Sequence, residues 1–393
     1  MTSYRIGFDL CGTDAGKSGL SSEIRNFLAQ FVAQAPHHEF HLVGLQEDFD
    51  AYVAGLYEDT PNVHFHEVPD KYASPSKNIY WHLRHLPKFA QSLKLDAFYI
   101  TAGNRRGTRI PGIPVIASIP DLWNKTLKGK FGFARQFYLD HVLPRYIKKA
   151  EGLTAISEYT RDDMVEYYGI PKDEITVTPL GCDQKLFKPE DPSKAAATLA
   201  AMPNGISTPF IAYAARIEHP AKNHMDLVKA FEILKREHEV PHELLCPGKR
   251  WPGSEPLYDV IYKSPYKDSM HFPGLVSPDY IAAMFQAADV AVSPSLYEGF
   301  GLPVVEAMAC GAPIVVSDIK IFAEVAGDAA LKFTPGKPEQ LAEQLWKLIS
   351  DDALRAEYRK RGVENASKFT WERAGKLTLD VIEHEAAKVV RSK

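Results

Sequence analysis

Apolar and polar positions along this chain keep two rhythms. Short, mostly apolar runs recur at 4–9, 40–45, 63–68, 97–100, 115–118, 153–156 and 175–179, and these read as buried strands. Between them lie stretches in which apolar residues return every three or four positions. These predict helices from the first strand's turn to about Gln34, and at about 78–92, 131–149 and 158–168. The rhythm restarts at Phe210. Strands are expected at 210–214, near 244–246, near 271–272, and at 290–293, 314–317 and 329–333; helices are expected at 225–238, 304–310, 338–349 and 371–390. Strands and helices alternating at this spacing predict an α/β protein of doubly wound parallel sheets. Ligands of such sheets bind beyond the strand C-terminal ends. With 393 residues, two domains are expected. The stretch 184–208 is rich in Pro, Lys, Ala and Ser and reads as the joint between them. The expected division is 1–185, a linker at 186–207, 208–370, and a terminal helix at 371–393.

The densest chemistry lies between Ser293 and Asp318. A strand runs into Glu298-Gly-Phe-Gly-Leu-Pro-Val-Val-Glu306, and Gly311 precedes the next strand. Gly299 to Gly301 form a tight turn, Pro303 suits the start of a helix, and Gly311 suits a left-handed stop. The helix N-terminus then points free N–H groups beyond the sheet, where an anion is favoured. Two carboxylates, Glu298 and Glu306, frame that anion site. Acids there accept hydrogen bonds from vicinal hydroxyls, so the pattern suggests two polyols flanking a diphosphate, a sugar nucleotide. Arg216 and Lys222, with Asn223, bracket a loop after the strand at 210 and make an anion clamp. The glycines from Gly12 to Gly19 form a further strand-to-helix loop without the Walker spacing.

Glu298 to Glu306 resembles the Glu-x7-Glu signature of retaining GT-B glycosyltransferases of family 4, in particular bacterial mannosyltransferases. The resemblance implies a GT-B fold of two facing Rossmann-like domains, the acceptor in the first and the donor in the second. It implies that Gly16 and Gly19 line the donor loop, and that Gly248 and the backbone at Leu275 belong to the nucleotide pocket. Gly299, Phe300, Gly301 and Leu302 would meet the diphosphate with Arg216 and Lys222. Glu298 would hold the transferred sugar and Glu306 the ribose. Ser118-Ile-Pro-Asp121 resembles the family's strand-end motif, with Pro120 where histidine usually stands; Asp121 remains a sugar- or acceptor-facing candidate. Ser157-Glu-Tyr-Thr160 and Pro179-Leu-Gly-Cys-Asp183 are similar to two further family turns, the first of which also reads as a plain helix cap. The terminal helix is expected to cross back to the first domain.

Composition narrows the partners. The net charge of −4 offers no general attraction for nucleic acid. Between 101 and 150, ten Lys/Arg face two acids, a local +8 that leaves −12 elsewhere. This stretch suits either a solvated face or peripheral contact with an anionic membrane or lipid-diphosphate acceptor. Four cysteines without metal or redox spacing, and no apolar leader or membrane-length run, predict a reduced, cytoplasmic setting. Asp48 and Asp50 read as helix-start acids rather than metal ligands, and the histidines show no His-x3-His spacing, so neither metal nor cofactor is expected. The expected activity is transfer of a hexosyl unit, with GDP-mannose the favoured donor. A UDP-sugar donor, a sugar-nucleotide epimerase or hydrolase, and a non-catalytic sensor are the alternatives.

Overall fold

The computed structural model describes residues 2–11, 19–126, 132–206 and 209–390. They fall into two units, Met1–Gly181 with Trp371–Lys393, and Cys182–Thr370. The first holds strands β1 (Arg5–Asp9), β2 (Glu39–Gly44), β3 (Val63–Glu67), β4 (Ala97–Ile100), β5 (Val115–Ile119), β6 (Gly152–Ala155) and β7 (Ile175–Val177). They form one parallel sheet in the order β3-β2-β1-β4-β5-β6-β7. The second holds β8 (Phe210–Ala212), β9 (Glu243–Leu245), β10 (Met270–His271), β11 (Val290–Ser293), β12 (Ile314–Ser317) and β13 (Leu331–Phe333). These are parallel in the order β10-β9-β8-β11-β12-β13.

Strands covered on both faces read as near-continuous apolar runs, and every residue of β4, β5, β11 and β12 is buried, Ser118, Ser293 and Ser317 included. In the first unit Phe8, Phe31 and Tyr99 meet edge to face at 5.4–5.7 Å, and Phe27 carries Trp371 against this group at 5.7 Å. The helix Trp371–Val390 lies close on the helix Gly19–Gln34: a Cβ at Gly375 would stand 2.5 Å from Gln30 Cβ. Each sheet also reverses its strand order once. The chain leaves β1 toward β3 and returns as β4 on the other side of β1; likewise it leaves β8 toward β10 and returns as β11. Loops diverge at such reversal points and leave a crevice at the strand C-terminal ends.

Several predicted elements differ in detail. The helix expected at 78–92 is two, Pro75–Arg84 and Leu86–Ser92, because Pro87 has no N–H to continue the first. That expected at 131–149 is described from Phe133 to Ile147 and widens into a π-turn at Tyr138–Val142, which relieves the ring of Pro144 from the preceding turn. The stretch read as a linker contains the helix Pro192–Ala200, capped by Asp191, which packs on the helix Pro278–Ala287. Asp48 lies inside the helix Gln46–Tyr52 and its carboxylate accepts from the Leu45 N–H at 2.9 Å, the helix-start role expected of it. Gly16 and the rest of the loop at 12–18, and the basic residues Lys128 and Lys130, lie outside the described residues.

Candidate active site

At the reversal point of the second sheet, the loops after β8 and β11 bring the predicted ions together. Lys222 Nζ lies 2.5 Å from Glu298 Oε1, and Ser295 Oγ donates to the same oxygen at 2.8 Å. Both charged side chains are largely buried, at 15% and 16% exposure. Behind them the Tyr213 hydroxyl donates to the Lys222 carbonyl at 3.0 Å and stands 3.1 Å from Ser295 Oγ. Burial, and after it the Glu298 charge, pushes the Tyr213 phenol well above its usual range, so it remains a donor. His224, buried at the start of the helix His224–His238, packs its ring against Tyr213 at 4.7 Å, tilted by 43°. Burial and the neighbouring Lys222 charge push it down to about 3, which keeps this imidazole neutral.

Arg216 belongs to the same loop. Its Nη2 pairs with Glu218 Oε2 at 3.0 Å and its guanidinium lies 4.8 Å over the Trp251 ring, two contacts that aim a half-exposed cation. The Lys222 N–H donates to the Glu218 carbonyl, so both clamp residues share one turn. Asn223 opens the following helix at a φ of +49°, and its amide bonds Asp226 at 2.7 Å.

Gly248 sits where three loops meet. Its N–H donates to the Gly274 carbonyl at 2.7 Å, and a Cβ there would lie 1.8 Å from the Ala215 oxygen. Leu275, next in line, is 63% exposed. Gly301 takes a φ of +91° at the start of the helix Leu302–Ala309, and a Cβ on it would come within 2.8 Å of Phe322. The helix begins at Leu302, one residue before the Pro303 start expected for it, and Gly311 follows its end at a φ of +77°. Gly299 and buried Phe300 form the turn before it, Phe300 edge-on to Phe369 at 5.6 Å. Glu306 is half-buried in this helix, and its burial pushes the carboxyl up to about 7.

In the first unit Asp121 follows β5. Its Oδ1 accepts from Asn104 Nδ2 at 2.9 Å and, more weakly, from the Trp123 N–H at 3.4 Å. Near it lies Glu23, buried on the helix that Gly19 begins; burial, then the Asp121 charge, pushes Glu23 up to about 8, against the pull of Arg105. Reading the sequence missed Glu23, although an acid on the apolar stripe of Ile24, Phe27 and Phe31 was the available signal. It also missed Tyr213, Ser295, His224 and Trp251, which carry no motif of their own. The Thr160 N–H meets Ser157 Oγ at 3.0 Å, an ordinary helix cap.

Two parallel-sheet units, one presenting paired acids and cations at its reversal point, define a GT-B glycosyltransferase fold. The solved sucrose-phosphate synthase of Thermosynechococcus elongatus shares it, with a TM-score of 0.73 over 99% of this chain and 100% of that one at 18% identity. The family description "Glycosyltransferase Family 4" matches residues 19–186 and "Glycosyl transferases group 1" matches 204–369. The chain belongs to this glycosyltransferase family. Among relatives, O-antigen chain mannosyltransferase B of Escherichia coli is 27% identical over 62% of this chain and 63% of its own length. The MMP alpha-(1->4)-mannosyltransferase of Mycolicibacterium hassiacum is 30% identical over 68% and 61%. The matched region thus spans less than two thirds of either relative.

Proposed function

We propose that the protein transfers a hexosyl unit, most readily mannose from GDP-mannose, to a glycan or lipid-linked acceptor with retention at the anomeric carbon. The observation that carries this reading is the Lys222–Glu298 pair at the sheet's reversal point. Two largely buried opposite charges are costly to separate unless each gains a new partner at once. One ligand supplies both: a diphosphate for Lys222 and sugar hydroxyls for Glu298. Arg216 and the N–H groups at Gly301 and Leu302 then take further phosphate oxygens, and Glu306 the ribose hydroxyls. Preorganised donors of this kind are worth ~3 kcal/mol each toward a departing oxyanion. Charge growing on the leaving phosphate is thereby met by protein groups, and the transfer needs no metal.

For the chemical step, the acceptor hydroxyl bonds the anomeric carbon on the face from which the diphosphate leaves, and its proton passes to the leaving phosphate oxygen. A trapped covalent glycosyl-enzyme would overturn that course. The names of the two mannosyltransferases support mannose as the sugar; a UDP-sugar donor remains the competing reading. In the first unit Phe133 and Phe137 are 88% and 53% exposed beside Arg135 in the basic stretch, which supports peripheral contact with a membrane carrying the acceptor.

Calorimetry of GDP and UDP with chelator present, on wild type and Arg216→Ala, tests the donor site. Tight GDP binding that collapses in the variant supports the reading. Binding of UDP alone transfers it to UDP-sugars, and donor turnover without acceptor would revive an epimerase or hydrolase.

A further inference from the structure

The histidines expected to have no ligand spacing do have one, but its period belongs to a strand. His64 and His66 alternate on β3 and so share a face, and the parallel register sets His41 of β2 opposite His64. Glu39, two residues before His41, takes the same face, and Arg5 of β1 lies opposite Glu39. Five side chains from three strands thus line one open hollow of about 700 Å³. It lies toward the N-terminal part of β1 and β2, whereas Asp121 follows the C-terminal end of β5.

We propose that Glu39, His41 and His64 bind a divalent transition-metal ion of the zinc type. Their ligand atoms all lie within 4.8 Å of one another. Rotation of the half-exposed Glu39 and His64 side chains brings them to the closer spacing of a zinc shell, whose bonds are ~2.0–2.2 Å. His41 is already oriented. Its Nδ1 meets His66 Nε2 at 2.9 Å, while its buried Nε2 has no hydrogen-bond partner among the described residues and faces Glu39 Oε2 at 3.4 Å. With the Nδ1 proton donated to His66, the Nε2 lone pair is the ligand, and His66 is the outer partner that fixes ring and tautomer. Arg5 bonds the Glu39 carboxylate and plays the same outer role for the acid. Imidazole and carboxylate together suit zinc, nickel or copper and offer little to magnesium. The fourth position faces the hollow and takes water.

The ion would fasten β3, the edge strand, to β2. Asp9, Cys11 and His82 form another compact trio, but both His82 nitrogens are engaged there, Nδ1 with the Asn78 carbonyl and Nε2 with Asp9.

The full chain, stripped with chelator, is titrated with zinc chloride by calorimetry and followed in thermal unfolding, with magnesium chloride as control. The expected result is one zinc per chain and a midpoint that climbs with zinc concentration, as for any ligand bound only by the folded state. His64→Asn and Glu39→Gln, both at half-exposed positions, should each weaken zinc at least tenfold while the metal-free midpoint stays near wild type. Absence of zinc binding, or binding equally tight in both variants, overturns the site.

Discussion

The strand ends of the two units handle buried charge in opposite ways. After β8 and β11, Lys222, Glu298 and Ser295 satisfy one another across two loops, and Arg216 is aimed by Glu218 and Trp251. In the first unit Glu23 is buried near a second acid, and burial keeps it protonated at neutral pH. Paired charges hold an ionised site ready for a charged ligand. A lone buried acid is held neutral and gives up its proton only when something replaces its solvation.

The largest test breaks the paired site. Glu298→Gln should lower kcat by about 10²–10³, the loss expected for one preorganised group, and should also lower the thermal midpoint, because the largely buried Lys222 ammonium loses its counter-charge. Lys222→Ala should lower both kcat and nucleotide affinity, because it strands Glu298 and removes a phosphate partner together. Steady-state kinetics alongside nucleotide titration separates the two outcomes.

Backbone approach comes next. Gly248→Ala drives a Cβ to 1.8 Å from a backbone oxygen, and Gly301→Ala places one 2.8 Å from Phe322 at a φ of +91°. Each should cost about 2–4 kcal/mol in denaturant unfolding. A loss below about 0.5 kcal/mol, the size of a typical surface change, would show that these loops give way.

Two acids sharpen the contrast through pH. Under the proposed ribose contact Glu306, raised to about 7, must be ionised to accept the two hydroxyls, so nucleotide affinity should fall as pH drops below 7, by at most tenfold per unit. Titrations in buffers of different ionisation enthalpy should show proton release on binding; none would mean that Glu306 does not meet the ribose. The other acid is Glu23. Its folded value of about 8 exceeds the ordinary 4.5, so the folded state holds the extra proton, and stability falls as pH rises between those values. Glu23→Gln should match wild type near pH 5 and gain on it toward pH 8. An unchanged pH slope would show that Glu23 ionises freely.

Much of this was legible in the chain because period and turn chemistry are local properties. Strand and helix rhythm located both sheets, and Gly301, Gly311 and the helix 158–168 stand where glycine and serine predict. Pro87 and Pro144 carried their own warnings, a missing N–H inside an expected helix. What stayed hidden depends on two segments at once. Trp251 reaches Arg216 only because the loops after β8 and β9 are knit by Ile217 and Lys249. His41 meets His64 and His66 only in one strand register.

By itself, then, the sequence determined the alternation of strands and helices, the two-unit division, and the grouping of acids and cations around Arg216, Lys222 and the 298–306 stretch. These follow from short-range sterics, from burial pattern, and from residues a few positions apart. The tertiary structure alone decided that Lys222 faces Glu298, that Glu306 and Glu23 are buried enough to hold protons, and that a strand-spaced histidine pair gains a third ring from its neighbour. Those depend on strand order and register, which no single stretch of chain encodes.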